Sequence, residues 1–529
     1  MNTPGRAVGS ARTGPAAGWI VAIAGVVVLA AALATISPTP VGVFWDDGVY
    51  LVSARALATG AGYRLGHLPG SPPAVHFPPG WPALLALVWA AVPAFPANLP
   101  WLKLVNPVLL AIAAWFACAM GSRRFGLAPA ISAIAIVIFT AALPVLVIAS
   151  VLFSEPMFLA ALLGGLALAE SARERGSSWR ALLAGGAAGG LILVRTAGVA
   201  LLPALVLVLL RAGRRREALV SAAAAVAVVA PWQIWLSTHS AQLAVPLRGS
   251  YGPYLEWVLA LYRQRGPAFA MTVARENVLS LFRSAGVAFF PIGLAPLRPF
   301  LVMLLLVVAF LGAVRAWRHA PATVLFMAAY CPIFLVWPYA PERFVWAVWP
   351  LAGLLLAAGG TEGWRLTKAH PGALGVRVTA ALVVGVALLA GAGHATYTAR
   401  GLSRHWWDIA QRRNADVLLP VAAWVRANTR PGDIVACDGE SLVHLYTGRT
   451  VVPVHILSPD EYLAGTPLEQ AAADLRALVV ANRPQFAVFS AAATELAAAS
   501  LLDGAGGTPR LERIAELPGG GAAFRVVLP

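Results

Sequence analysis

The chain has 529 residues, of which 59% are hydrophobic and only 12% charged, with a mean hydropathy of +0.75. Soluble globular chains carry about 25% charged residues, so these values exclude a soluble enzyme, a nucleic-acid-binding protein and a disordered scaffold and indicate a polytopic membrane protein. The net charge of +16 does not restore nucleic acid as a partner: residues 1–394 hold 27 Lys and Arg against 10 Asp and Glu, whereas residues 395–529 hold 12 against 13. The excess lies in short clusters between apolar runs, which is how loops facing the cytoplasm look.

In chain order, runs of roughly 20 apolar residues fall at 18–36, 101–121, 126–148, 156–171, 180–195, 197–211, 217–237, 298–314, 321–338, 345–361 and 374–393. Arg6 and Arg12 precede the first run, which is long enough to span and is read as an uncleaved helix. With the N-terminus inside, the segments 122–125, 172–179, 212–216, 315–320 and 362–373 become cytoplasmic, and the basic clusters fall on that side. The expected fold is an α-helical polytopic membrane protein with about 11 transmembrane helices. Residues 181–210 are the difficult stretch, since they are thirty residues with Arg195 in the middle. A hairpin of two short helices keeps the positive-inside pattern, whereas one long helix breaks it.

Two long loops, about 37–100 and 238–297, then lie outside. The run Ala83–Val92 after Pro79-Gly80-Trp81-Pro82 is too short to span and reads as an interfacial helix, and 251–265 reads as a second. Beyond residue 394 the composition changes. Strand-like runs at 434–436, 450–454 and 486–489, with a helical stretch at 466–481, predict a small α/β extracytoplasmic domain over 395–529. Cys118, Cys331 and Cys437 form neither a metal-ligand spacing nor a disulfide framework.

Acidic residues are scarce before 394, so their positions carry information. Glu170, Glu174, Glu217 and Glu362 lie among arginines and read as solvated loop charges, while Asp46, Asp47, Glu155, Glu256, Glu276 and Glu342 fall outside. Adjacent carboxylates such as Asp46-Asp47 repel each other, which raises the pKa of at least one and suits a general base. The doublet is also an oxygen-ligand set for a divalent cation, or a helix N-cap for 48–59. Glu155, before Pro156, is equally a helix start. Arg343 is an arginine outside the positive-inside pattern, and its guanidinium suits phosphate, unless it merely pairs with Glu342. Arg195 is a similar case, with snorkelling as the alternative. His76, before Phe77-Pro78-Pro79, is placed to meet a phosphate or hydroxyl, although a lone His beside a turn is more often structural. Trp45, Tyr63 and Trp81 share the first long loop and offer rings on which a sugar could stack.

The order of several short motifs resembles the GT-C superfamily of polyprenyl-phosphate-dependent glycosyltransferases, notably bacterial relatives of the protein O-mannosyltransferases and the lipid A aminoarabinose transferases. The motifs are Asp46-Asp47-Gly48-Val49-Tyr50, Ala54-Arg55-Ala56-Leu57-Ala58, Gly62-Tyr63, Phe77-Pro78-Pro79-Gly80-Trp81-Pro82, Ser154-Glu155-Pro156, Leu193-Val194-Arg195-Thr196 and Glu342-Arg343-Phe344. The resemblance spans 18–393 and implies a GT-C-like membrane catalytic domain over 1–394. It implies that Asp46 is the catalytic acid/base with Asp47 second, that Glu155 is the acidic residue of a further outer loop, and that Arg343 is the late arginine. The aminoarabinose transferases carry a Lys directly before the Pro-Pro pair, where this chain has Phe77. The phosphate contact is therefore shared among His76, Arg64, Arg195 and Arg343, with Glu342 as a supporting acid. The implied activity is inverting transfer of a sugar from a polyprenyl-phosphate donor in the membrane lipid to a hydroxyl of a glycan, lipid or protein, at the outer face of the cytoplasmic membrane. The rival readings are a transporter or flippase, which calls for mid-span ionisable residues and internal symmetry, and a non-catalytic envelope-assembly subunit.

Overall fold

The computed structural model describes residues 15–291, 295–456, 463, 467–490 and 509–528, so Arg6 and Arg12 lie outside the described residues. Each of the eleven apolar runs coincides with helix. Among the described residues, five helices are long and apolar enough to cross a membrane: Leu99–Arg123, Glu155–Arg175, Arg215–Gln242, Ala295–Trp317 and Leu374–Ser403. A sixth forms if Pro129–Thr140 and Leu143–Ser150, bent by 54°, count as one span. The other runs are the helices Pro15–Ala34, Ser178–Val194, Leu201–Arg211, Pro321–Leu335 and Trp349–Ala369. Prolines open many of them at the first or second position, where no backbone N–H is needed.

Close helix crossings rest on small residues, as expected where lipid offers no hydrophobic drive between helices. A Cβ on Gly359 would stand 1.9 Å from the Val308 carbonyl, and one on Gly185 would stand 2.1 Å from that of Ser221. Residues 178–211 form the hairpin. The first helix stops at Val194, Arg195 is extended (φ −148°, ψ 133°), and a 3-10 turn leads into Leu201–Arg211. Arg195 meets Glu155 at the start of the Glu155–Arg175 helix, whereas Arg214 meets the carbonyls of Arg173 and Glu174 at its far end. The chain therefore travels back along that helix between the two arginines.

Segments expected on one side converge at one end of the bundle. Arg124 pairs with Glu174, Arg214 reaches Arg173, and Arg315 bonds the Phe125 and Gly126 carbonyls and Glu362. Glu170, expected to be a solvated loop charge, is instead 1% exposed and accepts the Ala322 N–H at 2.7 Å, which satisfies a free donor in the first turn of Pro321–Leu335.

The opposite end carries the two long loops. Helix Trp45–Ala58 follows the first apolar helix, and Gly80–Ala91 is the expected short apolar helix. In the second loop, 251–265 was the only helix expected. The structure has one long helical element, Tyr254–Phe289, kinked at Gly266 (φ +75°), whose second half was not foreseen. One helix, Leu374–Ser403, runs through residue 394. Beyond it, Ile409–Asn428 leads to a five-stranded sheet: β1 (Ile434–Cys437), β2 (Thr450–Val452), β3 (Phe486–Phe489), β4 (Arg510–Leu517) and β5 (Gly521–Val527). The order is β2-β1-β3-β5-β4, parallel over the first three strands and antiparallel over the β3-β5-β4 edge. The sheet docks on the first long loop, where the Val451 N–H bonds the His67 carbonyl at 2.8 Å.

Candidate active site

Asp46 and Asp47 occupy successive positions in the first turn of Trp45–Ala58, about 100° apart around its axis. Asp47 turns inward. Its Oδ2 accepts the Gly42 N–H at 2.7 Å and its Oδ1 accepts the Phe44 N–H at 2.9 Å, leaving the side chain 1% exposed. It closes the loop that launches the helix, which is the capping role that competed with catalysis for this doublet. Burial pushes its carboxyl up to about 7; the two backbone bonds oppose this, and the charge of Asp46 adds to it. The raised pKa therefore falls on the carboxylate that has no access to a substrate.

Asp46 turns toward the helix ends and stays partly exposed, with Oδ2 2.8 Å from Arg343 Nη1. Arg343, in the short helix Glu342–Trp346, also donates from Nε to Glu155 Oε1 at 3.0 Å, with Nη2 2.8 Å from the same oxygen. Its Cζ lies 4.0 Å from the centre of the Phe153 ring. Burial works against its charge, but Glu155 and then Asp46 outweigh that, and the guanidinium is held charged. Glu155 opens its helix ahead of Pro156 and is fully buried. Its Oε1 also meets Arg195 Nη1 at 3.0 Å, while its Oε2 has no hydrogen-bond partner. Arg195 Nη1 lies 3.0 Å from Ser154 Oγ, which is 3.4 Å from Tyr50 Oη.

Four chain segments spread along the sequence thus deliver Asp46, Glu155, Arg195 and Arg343 to one cluster, formally two negative and two positive charges. The arrangement combines an accessible carboxylate with two guanidinium groups, a set suited to moving a proton beside a bound anion.

The remaining expected site residues stand elsewhere. Glu342 does not pair with Arg343: its Oε1 accepts from Ser280 and Ser284 of the kinked helix. Arg64 Nη1 donates to the Ser71 carbonyl within its own loop. His76 is buried against Tyr254 (ring centres 3.9 Å apart) with Nδ1 2.7 Å from the Gly252 carbonyl. Burial lowers its pKa to about 4, so it is neutral near pH 7 and offers a phosphate no charge. Tyr63 and Trp81 are buried and bond the carbonyls of Phe77 and Leu152, so neither ring is free to stack on a sugar. Trp45 remains half-buried; beside it lies Tyr251, and Tyr254 packs on the neighbouring His76, two rings which the sequence did not single out.

Asp46 and Asp47 are not placed to share a cation, because one faces Arg343 and the other the backbone. Among the described residues no group of three His, Cys, Asp or Glu is placed to hold a metal ion. The Arg343 guanidinium lies between Asp46 and Glu155.

The fold has counterparts among solved membrane-protein structures. Among solved structures it is similar to ArnT from Cupriavidus metallidurans bound to undecaprenyl phosphate, with a TM-score of 0.53 at 15% identity over 96% of this chain and 98% of that one, and the apo state of ArnT gives the same values. The apo oligosaccharyltransferase of Archaeoglobus fulgidus reaches a TM-score of 0.49 at 13% identity, covering 89% of this chain and 69% of that one. No protein-family model and no curated protein matches the sequence.

Proposed function

We propose that the chain transfers a sugar from a polyprenyl-phosphate-linked donor to an acceptor hydroxyl. Asp46 acts as the base, and Arg343 with Arg195 binds the phosphate. The observation that carries this reading is the cluster itself: a partly exposed carboxylate 2.8 Å from a guanidinium that a second, buried acid holds in place. The GT-C fold adds weight, as does the undecaprenyl phosphate bound to ArnT.

In this mechanism the acceptor oxygen attacks the anomeric carbon opposite the phosphate and its proton passes to Asp46. The bond from that carbon to the phosphate oxygen breaks with its electron pair left on the phosphate, and the anomeric configuration inverts. The two guanidinium groups are preorganised for the charge that develops on the leaving phosphate. Arg343 has a double role, since a phosphate arriving at its outer edge competes with Asp46 for the same donors and frees the carboxylate for the acceptor.

We place the Asp46 end at the outer face of the cytoplasmic membrane, because the arginine-rich segments converge at the opposite end. The N-terminus is then cytoplasmic, the helices make eleven crossings, and residues 395–529 form an extracytoplasmic domain after a catalytic region over 1–394. The ionisable groups of the site gather at helix ends and not in mid-span, which speaks for surface chemistry over transport.

The test is release of sugar from radiolabelled polyprenyl-phosphate donors by the purified chain in lipid, for wild type and Asp46→Asn. Consumption of one donor by wild type and none by a folded Asp46→Asn supports the reading. Equal consumption by both sinks it.

A further inference from the structure

The segment that bears Asp46 is held from two sides, and one of them is the C-terminal unit. The helix Glu440–Thr447, which follows β1, is seated with its first turn against residues 42–48. A Cβ on Gly48 would stand 2.6 Å from that of Ser441, and one on Gly42, itself at φ +84°, would stand 3.2 Å from Leu442. Asn414 donates to the Val43 carbonyl at 3.0 Å, and the Val41 N–H donates to Tyr446 Oη at 3.2 Å.

At the centre of this contact lies Glu440, 5% exposed. Its Oε1 accepts from Trp45 Nε1 at 3.1 Å and from Tyr251 Oη at 2.5 Å. With the Tyr251 proton committed to Glu440, His67 Nε2, 2.9 Å from Tyr251 Oη, acts as the donor to it. Burial raises the carboxyl pKa of Glu440 and lowers that of His67. A buried carboxylate whose Oε1 is met by two neutral side chains is an expensive way to join two surfaces that other hydrogen bonds and apolar packing already hold together. What it does achieve is to fix the Trp45 indole by its nitrogen, while His76, Phe77 and Tyr251 pack around its ring at 5.2, 5.6 and 5.3 Å between centres. Trp45 is the first residue of the helix and Asp46 the second. A fixed indole sets the rotation of that first turn, and with it the direction in which the Asp46 carboxylate meets Arg343.

We infer that Glu440 is a positioning residue of the active site, contributed by the C-terminal unit, which acts on Asp46 through Trp45. The kinetic part of the inference rests on the transferase reading, and the structural part does not. The test uses the full chain in lipid nanodiscs, labelled with 5-fluorotryptophan, with the Trp45 resonance assigned from Trp45→Phe. Glu440→Gln keeps a carbonyl oxygen for both donors and leaves the Trp45 resonance and kcat near wild type. Glu440→Ala removes the acceptor, moves the Trp45 resonance by more than its linewidth and lowers kcat per folded molecule by about tenfold or more at little-changed donor KM, since a small misplacement of a reacting group is costly. If Glu440→Ala does not fold, Glu440→Asp, which withdraws the oxygens by one methylene, replaces it with the same expected shifts.

An unmoved Trp45 resonance overturns the inference, and so does an equal loss of kcat in the Gln and Ala variants. If wild type consumes no donor while Glu440→Ala still moves Trp45 and Glu440→Gln does not, the transferase reading fails and the positioning of Trp45 by the C-terminal unit stands.

Discussion

The two ends of the helix bundle both carry glutamate–arginine networks, yet they are built on different terms. At the arginine-rich end, Glu170 is buried but fully used: Oε1 takes the Ala322 N–H and Oε2 takes Arg173 Nε at 2.8 Å. Arg315 spends its donors on the Phe125 and Gly126 carbonyls and on Glu362. These contacts satisfy helix ends and tie short loops together. At the Asp46 end, Glu155 is buried deeper, with one oxygen crowded by two guanidinium groups and the other unpartnered, while Asp46 stays open to the outside. A network that spends all its hydrogen-bonding capacity on itself has a structural role. One that holds capacity in reserve beside an accessible carboxylate is set up for a ligand.

Substitutions at the two ends should therefore separate activity from stability. The largest effect is expected for Asp46→Asn, which keeps the side chain's shape but removes the proposed base. Donor turnover should fall by about 10³-fold or more with the melting temperature little changed, measured by single-turnover kinetics beside thermal unfolding in the same lipid. Retained turnover would place the base elsewhere. Next comes Arg343→Ala, expected to lower kcat/KM for donor by about 10²–10³-fold. It also strips Glu155 of one of its two cations, so the variant should melt earlier than wild type. Adding Glu155→Gln to Arg343→Ala should restore much of the melting temperature without restoring turnover. If turnover returned with stability, Arg343 would be a scaffold and not a phosphate ligand.

Glu170→Ala is the counterpart at the other end. It orphans the Ala322 N–H and should cost about 1–3 kcal/mol, read as a shorter half-life at elevated temperature. Turnover per folded molecule should stay at the wild-type level. A specific loss of turnover would mean that the two ends are coupled, and the contrast drawn above would fail.

Much of this organisation was legible in the sequence, for identifiable reasons. Long apolar runs and the spacing of arginines define the helices, and Arg195 marks the hairpin because no other placement kept the basic clusters on one side. Asp46, Glu155, Arg195 and Arg343 were all candidates, but their convergence belongs to tertiary structure and left no local trace. The division of labour within Asp46-Asp47 was not legible either: it depends on which residue faces the Gly42–Phe44 loop, a matter of helix phase. The second half of Tyr254–Phe289 escaped because Arg275, Glu276 and Arg283 mask its apolar content. The β4–β5 hairpin did leave a signal, Gly519-Gly520 at φ +86° and +87°, the pair a tight hairpin turn requires. Glu440 left none, since an isolated glutamate after a glycine looks like any helix start.

The smallest effect is also the sharpest check on the doublet. Asp47 holds a proton in the folded chain up to about pH 7, whereas its ordinary value is 3.8. Between those values the folded state binds a proton that the unfolded state releases, so the contribution of this group to stability declines as pH rises through the window and levels off above it. From pH 5 to 7 wild type should lose about 2 kcal/mol relative to Asp47→Asn, whose amide does not titrate. Lys103, which faces Asp47 and favours its ionised form, acts to shrink that difference. The amide oxygen still accepts one of the two loop N–H groups while its NH₂ opposes the other, so the variant should start about 1 kcal/mol less stable at pH 5 and end about 1 kcal/mol more stable than wild type at pH 7. Turnover should survive, because Asp47 spends both oxygens on the Gly42 and Phe44 N–H groups and presents none to a substrate. A variant whose melting temperature tracks wild type at every pH would show that Asp47 is ionised in the fold. One that abolished turnover while Asp46→Asn did not would exchange the roles of the two carboxylates.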